Sequence, residues 1–139
     1  MSTEKVDYML LFRGTNWDKG LSPEQIQKVV ADWYAWFDGL IKDGRAIGGH
    51  PLQNEGKIVS GKQGRTVADG PFAESKEAIG GYFYLQVANE AEAIAIAQMC
   101  PGLEYGSVVE VRPVAEMCSV RARLEDMEAR GEPLAGAAA

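Results

Sequence analysis

One histidine and two cysteines are all the imidazole and thiol side chains in this chain of 139 residues. His50, Cys100 and Cys118 show no CxxC spacing, which argues against a zinc site of cysteine and histidine ligands. We expect no metal, and two free thiols in a reducing compartment. A basic stripe is also missing. The 14 Lys and Arg residues are scattered among 20 Asp and Glu, giving a formal net charge of −6 and a pI near 4.8. That balance disfavours a nucleic-acid partner and says mainly that the chain is soluble. No run approaches the roughly 20 apolar residues of a membrane span, so no membrane association is expected. The N-terminal "MSTEKVDYML" lacks the basic and apolar regions of a signal peptide, so the cytoplasm is the expected location. No phosphate loop, dinucleotide fingerprint or nucleophile elbow is present. The nearest approach, "GKQGRT", lacks the spacing and ending of a P-loop, and we expect no cofactor.

What is present reads as one domain, long enough to bury a core without staples. "VDYMLLFR" (6–13) is a strand candidate with Tyr8, Leu10 and Phe12 on one face and Met9, Leu11 and Arg13 on the other. Both faces carry apolar groups. "SPEQIQKVVADWYAWFDGLIKDG" is the clearest helix. Ser22 can cap it, Pro23 suits its first position, Gln25 completes a capping box and Gly44 can stop it. Ile26, Val29, Val30, Trp33, Phe37, Leu40 and Ile41 recur at helical spacing, with Trp36 beside them. Such an aromatic cluster reads as core or interface before it reads as a ligand box.

"RAIGGHPL" (45–52) is a short strand broken by Gly48 and Gly49, and "KIVSGKQGRTVA" (57–68) a hairpin turning through Gly61 to Gly64. "GYFYLQV" (81–87) is a strand. Asn89 caps a second helix with Glu92 at the reciprocal position, and "SVVEVRPV" (107–114) is the last strand. "SVRARLEDMEARG" can form a short terminal helix, supported by Arg121 and Glu125. The expected division is a domain over 1–118, then a short helix and frayed tail over 119–139. The order strand, helix, strand, hairpin, strand, helix, strand predicts an α+β fold: a ferredoxin-like, split βαβ sheet with an inserted hairpin. Two helices cover one face of such a sheet. The other face would expose Tyr82 and Tyr84, so we expect a homodimer packed sheet to sheet, with a cleft in or beside the interface.

The segment "VADGPFAESKEAIGGYFYLQV" (67–87) holds the candidate site. Gly70 opens backbone angles closed to other residues, and Pro71 locks φ. Asp69 either braces this turn or is aimed by it into a cleft, where partial desolvation would suit it to general acid or base work. Phe72 can plug the core or face a ligand, and Ser75 is a solvated turn residue or an anion contact. His50, between Gly49 and Pro51, is a structural group or a proton-transfer group near neutral pH. Arg13 can grip a substrate carboxylate, or pair with Glu110 or Asp7. Tyr8 and Tyr82 suit a cleft lining or the core equally.

"YMLLFRG", "DGPFAESKEAIGGYFYLQV" and "AIAIAQMCP…GSVVEVRPV" together resemble the YCII-related, DGPF-domain family across roughly residues 6–115. The resemblance implies a ferredoxin-like, dimeric α+β barrel, in a superfamily with muconolactone-isomerase-like enzymes and small oxygenases. Founding YCII proteins use a His–Asp pair in the cleft, which directs attention to His50 and Asp69. Some relatives are fused to, or encoded beside, extracytoplasmic-function sigma factors. Two functions follow as expectations. One is a cofactor-free isomerase or lyase that moves a proton in a small carboxylated or lactone-like substrate. Asp69 or His50 would be its base, Arg13 would hold an anionic group, and Tyr8, Tyr82, Phe72 and Ser75 would shape its pocket. The alternative is a non-catalytic module for a small anionic ligand or a protein partner, linked to sigma-factor regulation.

Overall fold

The computed structural model describes residues 4–70 and 78–132. Six strands and three helices follow one another as β1 (Val6–Arg13), α1 (Pro23–Lys42), β2 (Ala46–Pro51), β3 (Lys57–Ser60), β4 (Thr66–Asp69), β5 (Ile79–Val87), α2 (Glu90–Ala97), β6 (Val108–Pro113) and α3 (Ser119–Ala129). The main sheet has the order β2-β5-β1-β6, and every neighbouring pair is antiparallel. β5 thus splits the β1-α1-β2 unit and β1 splits β5-α2-β6, which is the expected ferredoxin-like α+β arrangement. β3 and β4 form a separate two-stranded sheet, the inserted hairpin.

Local signals set the helix starts. Ser22 Oγ accepts from Gln25 N at 3.1 Å, and Gln25 Oε1 accepts from Ser22 N at 2.8 Å, closing the capping box. At α2, Asn89 Oδ1 accepts from Glu92 N at 2.9 Å. The Glu92 carboxylate, however, takes the amide of Ala88 rather than that of Asn89. The extended backbone at Asn89 leaves the preceding amide within closer reach. β5 starts two residues earlier than its sequence pattern, since Ile79 pairs with Arg13 across a bulge at Gly80.

Strand alternation builds the core. Tyr8, Leu10 and Phe12 of β1 and Phe83, Leu85 and Val87 of β5 turn toward the helices and are buried, Leu10 and Leu85 completely. Leu40 of α1, Ala93, Ile96 and Ala97 of α2, and Cys100 close over them. Each large aliphatic side chain so buried contributes about 1.5–3 kcal/mol. Both cysteines are free. Desolvation pushes the Cys100 thiol up to about 11, against backbone hydrogen bonds at Gly102 and Leu103, so it behaves as a small core apolar group.

The opposite face carries Met9, Leu11 and Arg13 from β1, Tyr82 and Tyr84 from β5, and Glu110 and Arg112 from β6, with no helix over it among the described residues. Tyr84 Oη donates to Asp7 at 2.7 Å, and Gln86 Nε2 donates to the same carboxylate at 3.3 Å. That bond to Asp7 raises the Tyr84 phenol above its ordinary range.

Gly49 and Gly48 are adjacent in β2 but differ sharply in surroundings. A Cβ on Gly49 would lie 2.7 Å from the Tyr82 carbonyl oxygen and 2.8 Å from Phe83 Cδ1, whereas one on Gly48 would meet nothing within 4 Å. Gly49→Ala is therefore expected to cost about 1–3 kcal/mol in urea unfolding through overpacking. Gly48→Ala should cost little, and equal losses for the two would contradict this packing.

Candidate functional site

The cavity arises where α1 crosses the ends of β1, β2 and β5. α1 presents Val30, Trp33, Tyr34 and Phe37, β1 brings Phe12 and Arg13, and the following turn adds Thr15 and Trp17. The ends of β2 and β5 supply Gly49, His50, Pro51, Gly80, Gly81, Tyr82 and Phe83. The volume is about 450 Å³, within the range of small-molecule sites.

Glycines keep this space open and its floor close to bare backbone. A Cβ on Gly80 would come within 3.1 Å of Thr15 Cγ2, and one on Gly81 within 3.0 Å of the His50 carbonyl oxygen. The walls are aromatic. Phe12 meets Trp33 edge-on with centroids 5.1 Å apart, and Trp17 stacks on Trp33 at 6.3 Å with the rings 22° from parallel. Phe37 lies 4.6 Å from Phe83.

At the sheet end, His50 of β2 sits directly across from Tyr82 of β5. Their rings are held together by a 2.9 Å contact between His50 Nδ1 and Tyr82 Oη. Alternation turns both rings to the uncovered sheet face, while their neighbours Gly49 and Phe83 face α1. The residues of this pair still border the cavity, because no side chain at Gly80 or Gly81 walls off that end of β5. The Arg13 guanidinium pairs with Glu110, which also holds Arg112 Nε at 3.3 Å. Ser107, buried on the cavity wall, donates its hydroxyl to the Arg13 carbonyl at 3.1 Å. Among the described residues no group of three or more His, Cys, Asp or Glu side chains is placed to hold a metal.

A family model described as the YCII-related domain matches residues 7–118 of this chain. The chain belongs to the YCII-related family. The match spans β1 to β6 and ends where α3 begins. No curated protein matches the chain significantly.

Against this family frame the candidate residues separate. His50, Tyr82 and Arg13 come together around one cavity. Tyr8 lies in the core beneath the helices and does not line it. Asp69 ends β4 on the separate hairpin, with its carboxylate paired to Lys57 and its side chain 77% exposed. It does not meet His50, whose ring partner is Tyr82. Phe72 and Ser75 lie outside the described residues. Missing from the candidate set were Trp33, Tyr34 and Phe37. Their clustering on one helix was visible, but a helical aromatic stripe looks the same whether it fills a core or lines a cleft. Tyr34 lies beside the apolar stripe rather than in it, which is the signal the sequence holds, and the structure leaves it 66% exposed.

His50 is the sole histidine, so its ring resonances need no assignment. Replacing Tyr82 with Phe removes the partner of Nδ1. We expect the long-range ¹H–¹⁵N spectrum of His50 to show a changed tautomer balance, while Asp69→Asn leaves that spectrum as in the parent. The reverse result would mean that Asp69 governs the ring.

Proposed function

We propose that this YCII-related protein binds a small organic molecule in the cavity under α1, with its reactive end reaching past Gly80 and Gly81 to the uncovered sheet face, and moves a proton on it there without a cofactor, with His50 as the base. The observation that carries this reading is the hydrogen-bonded His50–Tyr82 pair bordering an apolar cavity. When Nδ1–H donates to the phenol oxygen, the Nε2 lone pair is free to take a proton from an acidic C–H of the substrate. The substrate becomes an enolate and the imidazole an imidazolium. Return of that proton to a different carbon completes an isomerisation, with no electrons gained or lost overall. Tyr82 is a positioning residue in this scheme, since it fixes which ring nitrogen is bare.

Asp69 serves the hairpin here, through its pair with Lys57. The test is solvent exchange. Small aryl ketones and benzo-fused lactones with acidic C–H bonds are incubated with the protein in D₂O, and deuterium uptake is followed by NMR. General-base loss in His50→Gln should slow uptake about 10²-fold or more. Asp69→Asn should stay close to the parent. Uptake that is lost with Asp69 and kept without His50 would reverse the assignment. Saturable binding with no exchange would leave a ligand-binding module.

We also infer a homodimer joined through the uncovered sheet face. Support comes from half-buried Met9, Leu11, Tyr82 and Tyr84 on a face that no helix among the described residues covers. His50 and Tyr82 sit at the end of that sheet, so the pair would lie at the interface rim. Sedimentation equilibrium should show a dimer that Leu11→Arg converts to a folded monomer. A wild-type monomer at every concentration would remove the proposal.

A further inference from the structure

We propose that the molecule taken by the cavity under α1 is a neutral, planar aromatic compound of one or two rings, and not a carboxylate. This rests on the reading above that the cavity is the ligand site, but it concerns recognition and not the proton transfer.

The first support is the wall itself. Trp17, Trp33 and Tyr34 line the cavity together with Phe12, Phe37 and Phe83. Aromatic walls offer ring faces and edges in varied orientations, since Trp17 and Trp33 stack at 22° while Phe12 and Trp33 cross at 69°. A flat ring finds offset-stacked and edge-to-face partners at once in such a wall, which an aliphatic ring cannot use equally. Tyr34 and Val30 of α1 are both exposed and both line the cavity, so part of this wall is reachable from solvent.

The second support is charge. Arg13 is the one cationic side chain among the described residues that line the cavity, and Glu110 already pairs with it. Glu110 is anchored in turn by Arg112, so the acid is not readily displaced by an incoming ligand. An entering carboxylate would lose its hydration and meet no free cation among the described residues, a large cost in an apolar site. The buried Ser107 hydroxyl is no substitute donor, since it is committed to the Arg13 carbonyl. A neutral hydroxyl or carbonyl on the ring has the His50–Tyr82 end to approach, where both bordering side chains carry groups able to donate or accept. The anionic-ligand expectation drawn from Arg13 thus gives way to a neutral one.

Calorimetric titration of the full chain at neutral pH with 2-naphthol, 2-naphthoate and cyclohexanol separates the possibilities. We expect saturable 2-naphthol binding, about tenfold or more tighter than for 2-naphthoate, with cyclohexanol weaker than 2-naphthol. Tyr34→Ala, at an exposed position where folding is not at stake, should weaken 2-naphthol binding by about fivefold or more at an unchanged unfolding midpoint. Equal or tighter binding of 2-naphthoate would overturn the charge argument. Cyclohexanol binding as tight as 2-naphthol, absence of saturable 2-naphthol binding, or an unaltered affinity in Tyr34→Ala would overturn the aromatic one. His50→Gln distinguishes the two readings. If the proton-transfer reading alone fails, 2-naphthol still binds while no deuterium exchange depends on His50.

Discussion

Phe83 stands at the point on which the rest of the architecture turns. The rings of Phe12, Trp36 and Phe37 surround it at 4.8, 4.9 and 4.6 Å. It fits because Gly49, its partner across the β2–β5 ladder, has no side chain. This one packing arrangement locks α1 onto the sheet and sets the depth at which the helix crosses. It also leaves the end of the sheet, with Gly80 and Gly81, unfilled. The cavity is the space that a tightly packed phenyl ring and a run of glycines leave under the same helix.

The two faces of the sheet divide the chemistry. The helix-covered face holds the aliphatic core and the aromatic wall. The other face holds the polar side chains in short hydrogen-bonded sets: Asp7 with Tyr84 and Gln86, His50 with Tyr82, and Arg13 with Glu110 and Arg112. Each set satisfies its own donors and acceptors, so the face tolerates partial burial without stranding a polar group. At the open end of β2 and β5 one such set borders the cavity, which is why His50 and Tyr82 carry the proposed chemistry and Asp69 does not. Among the described residues the hairpin bearing Asp69 forms its own two-stranded sheet, and all eight of its strand residues are exposed.

Much of this fold was legible in the linear chain because its signals are local. The capping box at Ser22 and Gln25, the alternation in 6–13 and 81–87, and the glycine-rich turn at 61–64 each act within a few residues. The site was legible only in part. His50, Tyr82 and Arg13 drew attention by residue type, and they do border the cavity. Tyr8 drew the same attention and is core, because its place on β1 puts it on the helix-covered face with Leu10 and Phe12. Asp69 drew the most, through its motif, yet a motif cannot say whether its segment joins the main sheet or stands apart.

The amino-acid order alone determined the element types, the helix caps and the YCII-related membership. Helix caps, period-two alternation and composition are short-range properties. Tertiary structure decided which aromatic residues of α1 fill the core and which line a cavity, that His50 faces Tyr82 across a β ladder 32 residues distant in sequence, and that Glu110, 97 residues from Arg13, neutralises the cavity's cation. Those pairings depend on strand register and on the angle of one helix over the sheet. No local pattern encodes either, because both follow from how the whole core packs.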